Sequence, residues 1–385
     1  MPEGGEAATV RVVGGIGKVS AAAWDACFGD DNPFVSHAFL SALERSGSAT
    51  PAAGWAPAHL TATIDGRLVG AAPLYVKSHS YGEYVFDHAW AAAFERAGGR
   101  YYPKLQVCVP FTPVPGPRLA VAPGAPRETG GLLAEALAGL AEANRFSSAH
   151  VTFADEADMA ALLAAGWLER RGLQYHWFNR GYGSFDDFLA GLSSRKRKQI
   201  RRERREAAES GIIVRALTGA DLTPAHWDAF HHLYMQTAER KWGGGYLTRS
   251  FFRLLGETMA DKVLLVMCED RGEWVAGALN LIGRNTLYGR NWGGDGGVPF
   301  LHFEACYYQA IDFAIARGLS RVEAGAQGEH KLQRGYEPVP TFSAHWIVDP
   351  GLRQAIADFL AVEQAGVAKA KEELAQLTPY RRDER

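Results

Sequence analysis

The sequence predicts an α/β protein in which one mixed-sheet scaffold occurs twice. Three observations carry this. Strand-like and helix-like segments alternate along the chain instead of clustering by type. Two hairpin patterns, "AHLTATIDGRLVGAAPLYVKS" and "KVLLVMCEDRGEWVAGALNLIGR", lie in opposite halves. Two sets of residues also align without gaps and in the same order. Gly70, Ala71, Leu74, Tyr81 and Gly82 fall on Gly277, Ala278, Leu281, Tyr288 and Gly289, and Gly166, Trp167, His176 and Trp177 fall on Gly335, Tyr336, His345 and Trp346.

The first half opens with the strand pattern "ATVRVV". "DDNPFVSHAFLSALERSG" is a helix, with Asp, Asn and Pro as start signals and Gly47 as its stop. The first hairpin turns at Asp65-Gly66, a pair that accepts positive φ. "GEYVFDHAW" reads as a further strand. The Pro-rich passage from Tyr101 to Pro126 excludes a regular helix. "ETGGLLAEALAGLAEANRF" restores helical periodicity, and the strand "AHVTFA" follows.

From Gly183 the same grammar restarts. "SFDDFLAGLSSRKRKQIRRERREAAESG" reads as one helix that becomes basic, followed by the amphipathic helices "HWDAFHHLYMQTAERKW" and "TRSFFRLLGETMA". The second hairpin turns at Arg271-Gly272, and "TLYGRNWGG" is the next strand. "FLHFEACYYQAIDFAIARG" is a helix stopped by Gly318. "GAQGEHKLQRGYEPVPTFSAHW" then leads into an aromatic strand, and "RQAIADFLAVEQAGVAKAKEELAQL" closes the chain as a helix. The first-half counterpart, "FADEADMAALLAAGWLERRGLQYHW", keeps the strand, the Gly-aromatic turn and the His-Trp pair. It lacks the Glu-His-Lys cluster.

The length of 385 residues exceeds a typical single core and predicts two domains, 1–182 and 183–385. A 47% apolar and 22% charged composition is that of a soluble globular protein. The net charge of −2 confines any nucleic-acid contact to a local patch. Four dispersed cysteines without a CxxC pair, and an N-terminus without signal-peptide character, predict a cytoplasmic protein with free thiols. No apolar run is long enough to span a bilayer, so no membrane insertion is expected.

Several segments carry chemistry. "WGGDGGVPF" places four glycines and a proline before a helix, either as a cradle whose backbone N–H groups hold a phosphate or as an unliganded turn. "RKRKQIRRERR" holds eight Lys or Arg, with Glu203 its one acid. It is either a solvated helix or a landing site for polyphosphate or RNA through Arg197, Arg201 and Arg204. His302, Glu304 and Cys306 alternate along a helix and do not converge, and HExxH, GxSxG and CxxC are absent, so no metal is expected. His345, repeated as His176, reads as a core residue. Glu329, His330 and Lys331 lie just past a strand end, where a carboxylate or imidazole takes a proton from an amine and a lysine holds developing negative charge.

These residues resemble the Fem-type and GNAT-type N-acyltransferases. The Gly-rich turn before Phe300 stands where that fold holds the pyrophosphate of coenzyme A. The basic helix looks like the one opening the second Fem domain, and "EHKLQRGYEP" looks like the lysine-bearing segment lining the donor site. "NPFVSHAFLSALERSG", "GEYVFDHAW", "RYYPKLQVCVPFTPVPGPRL" and "VEAGAQGEHKLQRGY" are similar to a bacterial group of Fem-like predicted N-acyltransferases, over nearly the whole chain. The turn departs from the coenzyme-A signature of a basic residue followed by Gly-x-Gly, and there is no long coiled-coil arm.

The resemblance implies two tandem GNAT-like acyl-CoA N-acyltransferase domains packed across a groove. The expected reaction moves an acyl or aminoacyl group to the amine of a small molecule or peptide. The donor is acyl-CoA or acetyl-CoA, or alternatively an aminoacyl-tRNA, which would make tRNA a partner. A non-catalytic module that binds a cell-wall precursor is the reading from another class. Glu329 or His330 is the expected base, with His302 and Glu304 as second choices, and Lys331 the oxyanion or phosphate holder. Arg290, Asn291 and Trp292, with backbone groups of Gly293, Gly294, Gly296 and Gly297, are expected to hold the donor. Glu83, Asp87, Tyr101, Tyr102 and Lys104 are expected to bind the acceptor.

Overall fold

A computed structural model describes residues 8–325 and 328–381. Contacts divide the chain into two units. One comprises the chain up to Gly172 with Thr341–Val367, and the other Leu173–Pro340 with the chain from Ala368 onward. The boundary therefore does not lie at 182/183. Strand β9 (Leu168–Phe178) starts in the first unit and its later residues pair in the second, and β15 (Glu337–Ile347) does the reverse. Each copy's sheet is thus completed by a strand that begins in the other copy's stretch of sequence.

In the first unit, β1 (Thr9–Val13) is followed by α1 (Ala21–Phe28) and α2 (His37–Arg45). α1 is absent from the elements expected above; Ser20 caps it by accepting from the Ala23 N–H, and it buries Trp24, Cys27 and Phe28. After β2 (Trp55–Pro57), the expected hairpin forms from β3 (His59–Ile64) and β4 (Arg67–Ala72), with φ of 51° at Asp65 and 75° at Gly66. Next come β5 (Leu74–Lys77), α3 (His88–Arg96), β6 (Lys104–Val107), β7 (Ala120–Val121), α4 (Thr129–Ala143), β8 (Ser148–Ala154) and α5 (Glu156–Ala164). One sheet runs β1-β3-β4-β7. The other runs β2-β5-β6-β8 and continues into the paired residues of β15, with β6 parallel to β8. Leu105, Val107, Leu133, Leu137, Val151 and Leu162 are fully buried between this sheet and the two helices after it.

"GEYVFDHAW" is not a strand. Gly82 and Tyr84 take positive φ (80° and 61°), which breaks an extended run, and α3 begins at His88. The first repeat register is also corrected beyond Leu74. By its pairing, the strand matching "TLYGRN" is β6, which lies past Tyr81 and Gly82. The intervening loop and helix are extra chain in the first copy.

The second unit opens with α6 (Phe185–Gly191) and α7 (Ser194–Glu209), two helices where one was expected. They separate at Leu192 and Ser193, where Leu192 is buried and bridges to Tyr380. Then follow β10 (Ile213–Thr218), α8 (Pro224–Trp242), α9 (Arg249–Met259), β11 (Val263–Asp270), β12 (Glu273–Ile282) and β13 (Thr286–Gly294). The second hairpin turns at Arg271 and Gly272 with φ of 50° and 88°. α10 (Leu301–Phe303) continues through a π-turn, Glu304–Tyr308, into α11 (Gln309–Ala316), and β14 (Arg321–Glu323) follows. The sheet order is β10-β11-β12-β13-β14-β9, with β14 parallel to β13. α12 (Pro350–Gln376) is the last helix of the described residues.

The second register survives. His176 pairs across from Glu323, as His345 pairs across from His150. Each unit therefore has a parallel strand pair (β6–β8 or β13–β14) followed by an antiparallel strand carrying a buried histidine.

Gly293 tests the packing of α8 on β13. A Cβ there would come within 2.6 Å of the Leu233 backbone carbon. Gly293→Ala is expected to lower stability by about 1–3 kcal/mol through overpacking, measured by denaturant unfolding of the full chain.

Candidate active site

β13 and β14 pair only from Thr286–Arg321 to Tyr288–Glu323, and then separate. At the separation β13 carries a bulge. Gly289 faces Asn280 and Asn291 faces Leu279, which leaves Arg290 as the extra residue. The opening is a cavity of about 110 Å³ lined by Asn280, Gly289, Arg290, Asn291, Trp292, His302, Cys306, Tyr307 and Ala324 among others. The expected donor residues Arg290, Asn291 and Trp292 thus meet His302 at one place. Trp292 lies edge-on to the His302 ring at 5.1 Å.

Past its last paired residue, β14 has no parallel neighbour among the described residues for its next carbonyls. Lys331 supplies one: its Nζ donates to Ala324 O (2.5 Å) and Gly325 O (3.2 Å). Burial lowers its pKa to about 8, a shift that Cys306 partly opposes. The turn Glu329–Arg334 that carries Lys331 is held by Arg334. Its guanidinium donates to both Glu203 oxygens (3.0 and 2.9 Å) and to His330 O (2.8 Å) and lies over the Phe303 ring. Glu203, the one acid of the basic run, is buried, and also accepts from Gln199 and Tyr308. His330 is exposed, and its Nε2 lies 2.9 Å from the hydroxyl of Tyr307, which lines the cavity. The side chain of Glu329 lies outside the described residues.

Cations dominate the electrostatics. Burial lowers the His302 pKa to about 4, and His330, Lys241, Lys331 and Arg334 add to the shift. His302 is therefore neutral at pH 7, and the surroundings favour an anion.

Three sequence expectations need correction. Gly293 and Gly294 belong to β13, and the backbone of Gly294 is engaged: its N–H donates to Thr237 Oγ1 and its carbonyl accepts from Thr237 and Arg240. Gly297 N–H donates to Asp295 Oδ1 (2.8 Å), which leaves Gly296 as the member of the set with open space around it. The phosphate cradle is therefore not these four glycines. Glu304 is not a second base. It is buried in a two-pronged pair with Arg204 (3.2 and 3.0 Å) and accepts from Gln309. The same pair, with Asp312 at 2.7 Å and stacking on Phe185, engages Arg204 and removes it from a nucleic-acid surface. Arg201 is exposed and pairs with Asp186, and Arg197 is half-buried.

The five acceptor candidates do come together in the first unit, but around one another. Lys104 is fully buried and donates to Ser80 Oγ (2.8 Å), Glu83 Oε2 (2.7 Å) and Asp87 Oδ2 (2.5 Å). Tyr101 OH donates to Asp87 (2.7 Å), and Tyr102 OH shares a hydrogen bond with Ser80 (2.8 Å). Burial raises the Glu83 pKa to about 7. At Asp87 the same burial is outweighed by Lys104, then His150, and the carboxyl is held well below its usual range. This network pins the loop before α3 and leaves Glu83, Asp87, Tyr101 and Lys104 no surface for an acceptor.

Tyr307, Lys241 and Glu323 are not among the residues the sequence pattern singles out. Tyr307 had a legible signal, its position one helical turn after His302 and Phe303. Among the described residues, no group of three or more His, Cys, Asp or Glu is placed to hold a metal ion, and no helix is long and apolar enough to cross a membrane.

Lys104→Met leaves two buried carboxyls without their cation. It is expected to cost about 3–5 kcal/mol, seen as a fall in the denaturation midpoint.

A family model termed FemAB-like, peptidoglycan biosynthesis/recognition, matches residues 15–382. Among solved structures, FemX aligns with 12% identity and a TM-score of 0.56, covering 88% of this chain and 98% of its own. L-PGS from Bacillus licheniformis aligns with 10% identity and a TM-score of 0.50, covering 91% and 98%. A conserved protein of unknown function from Bacteroides thetaiotaomicron aligns with 11% identity and a TM-score of 0.53, covering 89% and 100%. No curated protein matches the chain.

Proposed function

The chain belongs to the FemAB-like family, and from that premise we propose that it is an N-acyltransferase whose second unit binds the donor in the cavity where β13 and β14 part. One observation carries the reading: the forked strands open a cavity of about 110 Å³ lined by Arg290 and His302, with His330 bonded to Tyr307 and Lys331 to Ala324, both of which also line it. A carbonyl group seated there meets backbone freed from sheet pairing, and the phosphates that accompany an activated acyl group meet cations.

The donor we favour is an acyl-CoA, acetyl-CoA being the simplest. Lys331 is the residue to hold its phosphate or the oxyanion, and Arg290, Asn291 and Trp292 line its path. The acceptor is an amine, and the family description of peptidoglycan biosynthesis or recognition makes a cell-wall peptide amine a natural candidate. The exposed residues of α7, Arg195, Lys198, Arg201, Arg202 and Arg205, favour a second reading in which the donor is an aminoacyl-tRNA.

Titration calorimetry with acetyl-CoA tests the first reading. Micromolar binding is expected, weakened at least tenfold in Lys331→Met, and absence of binding removes the thioester donor. Lys331 has a lowered pKa in the folded protein and so carries its charge only below about pH 8. Binding is therefore expected to be full below that pH, to weaken as pH rises through it, and to lose this dependence in Lys331→Met. Replacing Arg197 and Arg201 with Ala is expected to leave acetyl-CoA binding unchanged. A reduced salt dependence of binding to charged tRNA in that variant supports the second reading instead.

A further inference from the structure

Glu323 is a buried carboxyl beside one cation, Arg321. It is 2% exposed, and neither Oε1 nor Oε2 accepts a hydrogen bond from any of the described residues. Arg321 Nε lies 3.1 Å from Oε1, but its N–H is directed to Thr286 Oγ1 at 2.9 Å. His176 Nε2 lies 3.8 Å from Oε2 and is itself without a partner. A buried carboxyl with no donor is costly, and a fold retains one where a ligand completes it or chemistry needs it.

Its place in the sheet indicates which. Tyr288 and Glu323 are the last residues of the parallel pair, and the next two, Gly289 and Ala324, both line the donor cavity. A Cβ on Gly289 would sit 3.3 Å from the Glu323 carbonyl, so Glu323 stands at the apex of the fork. The first unit supplies a comparison within the same chain. His150 faces His345 as Glu323 faces His176, and it is satisfied, with Nε2 at 2.8 Å from Ser148 Oγ and Nδ1 at 2.7 Å from His345 Nδ1. The unsatisfied carboxyl belongs to the copy with the open cavity.

We propose that Glu323 is the acceptor site: it receives the ammonium of a primary amine at the fork apex and removes a proton from it, with His176 as the neighbouring positioning residue. The proposal rests on the second unit being the transferring one. The carboxylate takes one proton from R–NH3⁺, and the freed nitrogen lone pair attacks the acyl carbonyl, forming the C–N bond. Collapse of the adduct breaks the C–S bond of the thioester. The second nitrogen proton passes to the departing sulfur, and Glu323 releases the first to solvent. The products are the amide, the free thiol and one proton. Burial raises the Glu323 pKa to about 7, which suits a group that must both take and release a proton near neutral pH.

The experiment uses the full chain, its Glu323→Gln variant, n-butylamine and acetyl-CoA. Amine binding is followed by NMR titration without donor, and donor binding by calorimetry without amine. Glu323→Gln is expected to weaken n-butylamine binding at least tenfold while acetyl-CoA affinity stays within twofold. It is expected to slow acetyl transfer about 100-fold and to abolish the rise in rate through pH 7. Its melting temperature at pH 8 is expected to be no lower than that of the parent, because the variant removes a charge whose burial is unfavourable there. Equal n-butylamine binding by both proteins, or saturable binding by neither, overturns the proposal. If n-butylamine binds through Glu323 but acetyl-CoA does not bind, this site stands and the thioester reading falls.

Discussion

Where two parallel strands separate inside a sheet, the carbonyls beyond the last pair lose their partners and must find others. Both copies of this scaffold meet that constraint at the same point and answer it differently. In the first unit, after the β6–β8 pairing ends, Gly116 N–H donates to Phe153 O and Arg118 Nε to Thr152 O. The Pro-rich passage therefore lies along the strand and fills the place. In the second unit the carbonyls just past the last parallel pair, at Ala324 and Gly325, are met by the single ammonium of Lys331. A backbone segment closes the fork, whereas one side chain leaves it open. The cavity and the buried carboxyl of Glu323 at its apex go with that choice.

The lysine must then be held, and the hub at Glu203 does this. A buried carboxylate gathers Arg334, Tyr308 and Gln199, tying α7 and the π-turn to the short segment that carries His330 and Lys331. Buried ion pairs of this kind add little net stability, because desolvation offsets most of the attraction, but removing one partner is costly. Their effect is to define one geometry. The Lys104 network does the same for the loop before α3 in the first unit, where Ser80, Glu83 and Asp87 turn inward and Tyr81, Tyr84 and Phe86 are left outside.

Two copies of one scaffold have thus diverged through side chains that meet the same backbone need. His150 is hydrogen-bonded to His345, whereas the matching Glu323 and His176 remain apart. This contrast within one chain separates a structural position from a chemical one.

The sequence by itself determined what depends on near neighbours. Both hairpins were legible because Asp65-Gly66 and Arg271-Gly272 are turn pairs that accept positive φ. The repetition was legible from residues that keep their spacing, and the cluster Glu329, His330, Lys331 was legible as a local crowding of charge. Tertiary structure alone decided which charges are free. Arg204 and Glu304 are a hundred positions apart and neutralise each other, and Glu203 meets Arg334 from farther still. Tertiary structure also decided that β9 and β15 complete each other's copies, and that Glu323, unremarkable in "SRVEAGAQ", is buried at the apex of the fork with no hydrogen bond from the described residues. The reason is physical. Turn chemistry and periodicity are written over a few residues, whereas desolvation and pairing depend on which distant groups the fold brings into the same small volume.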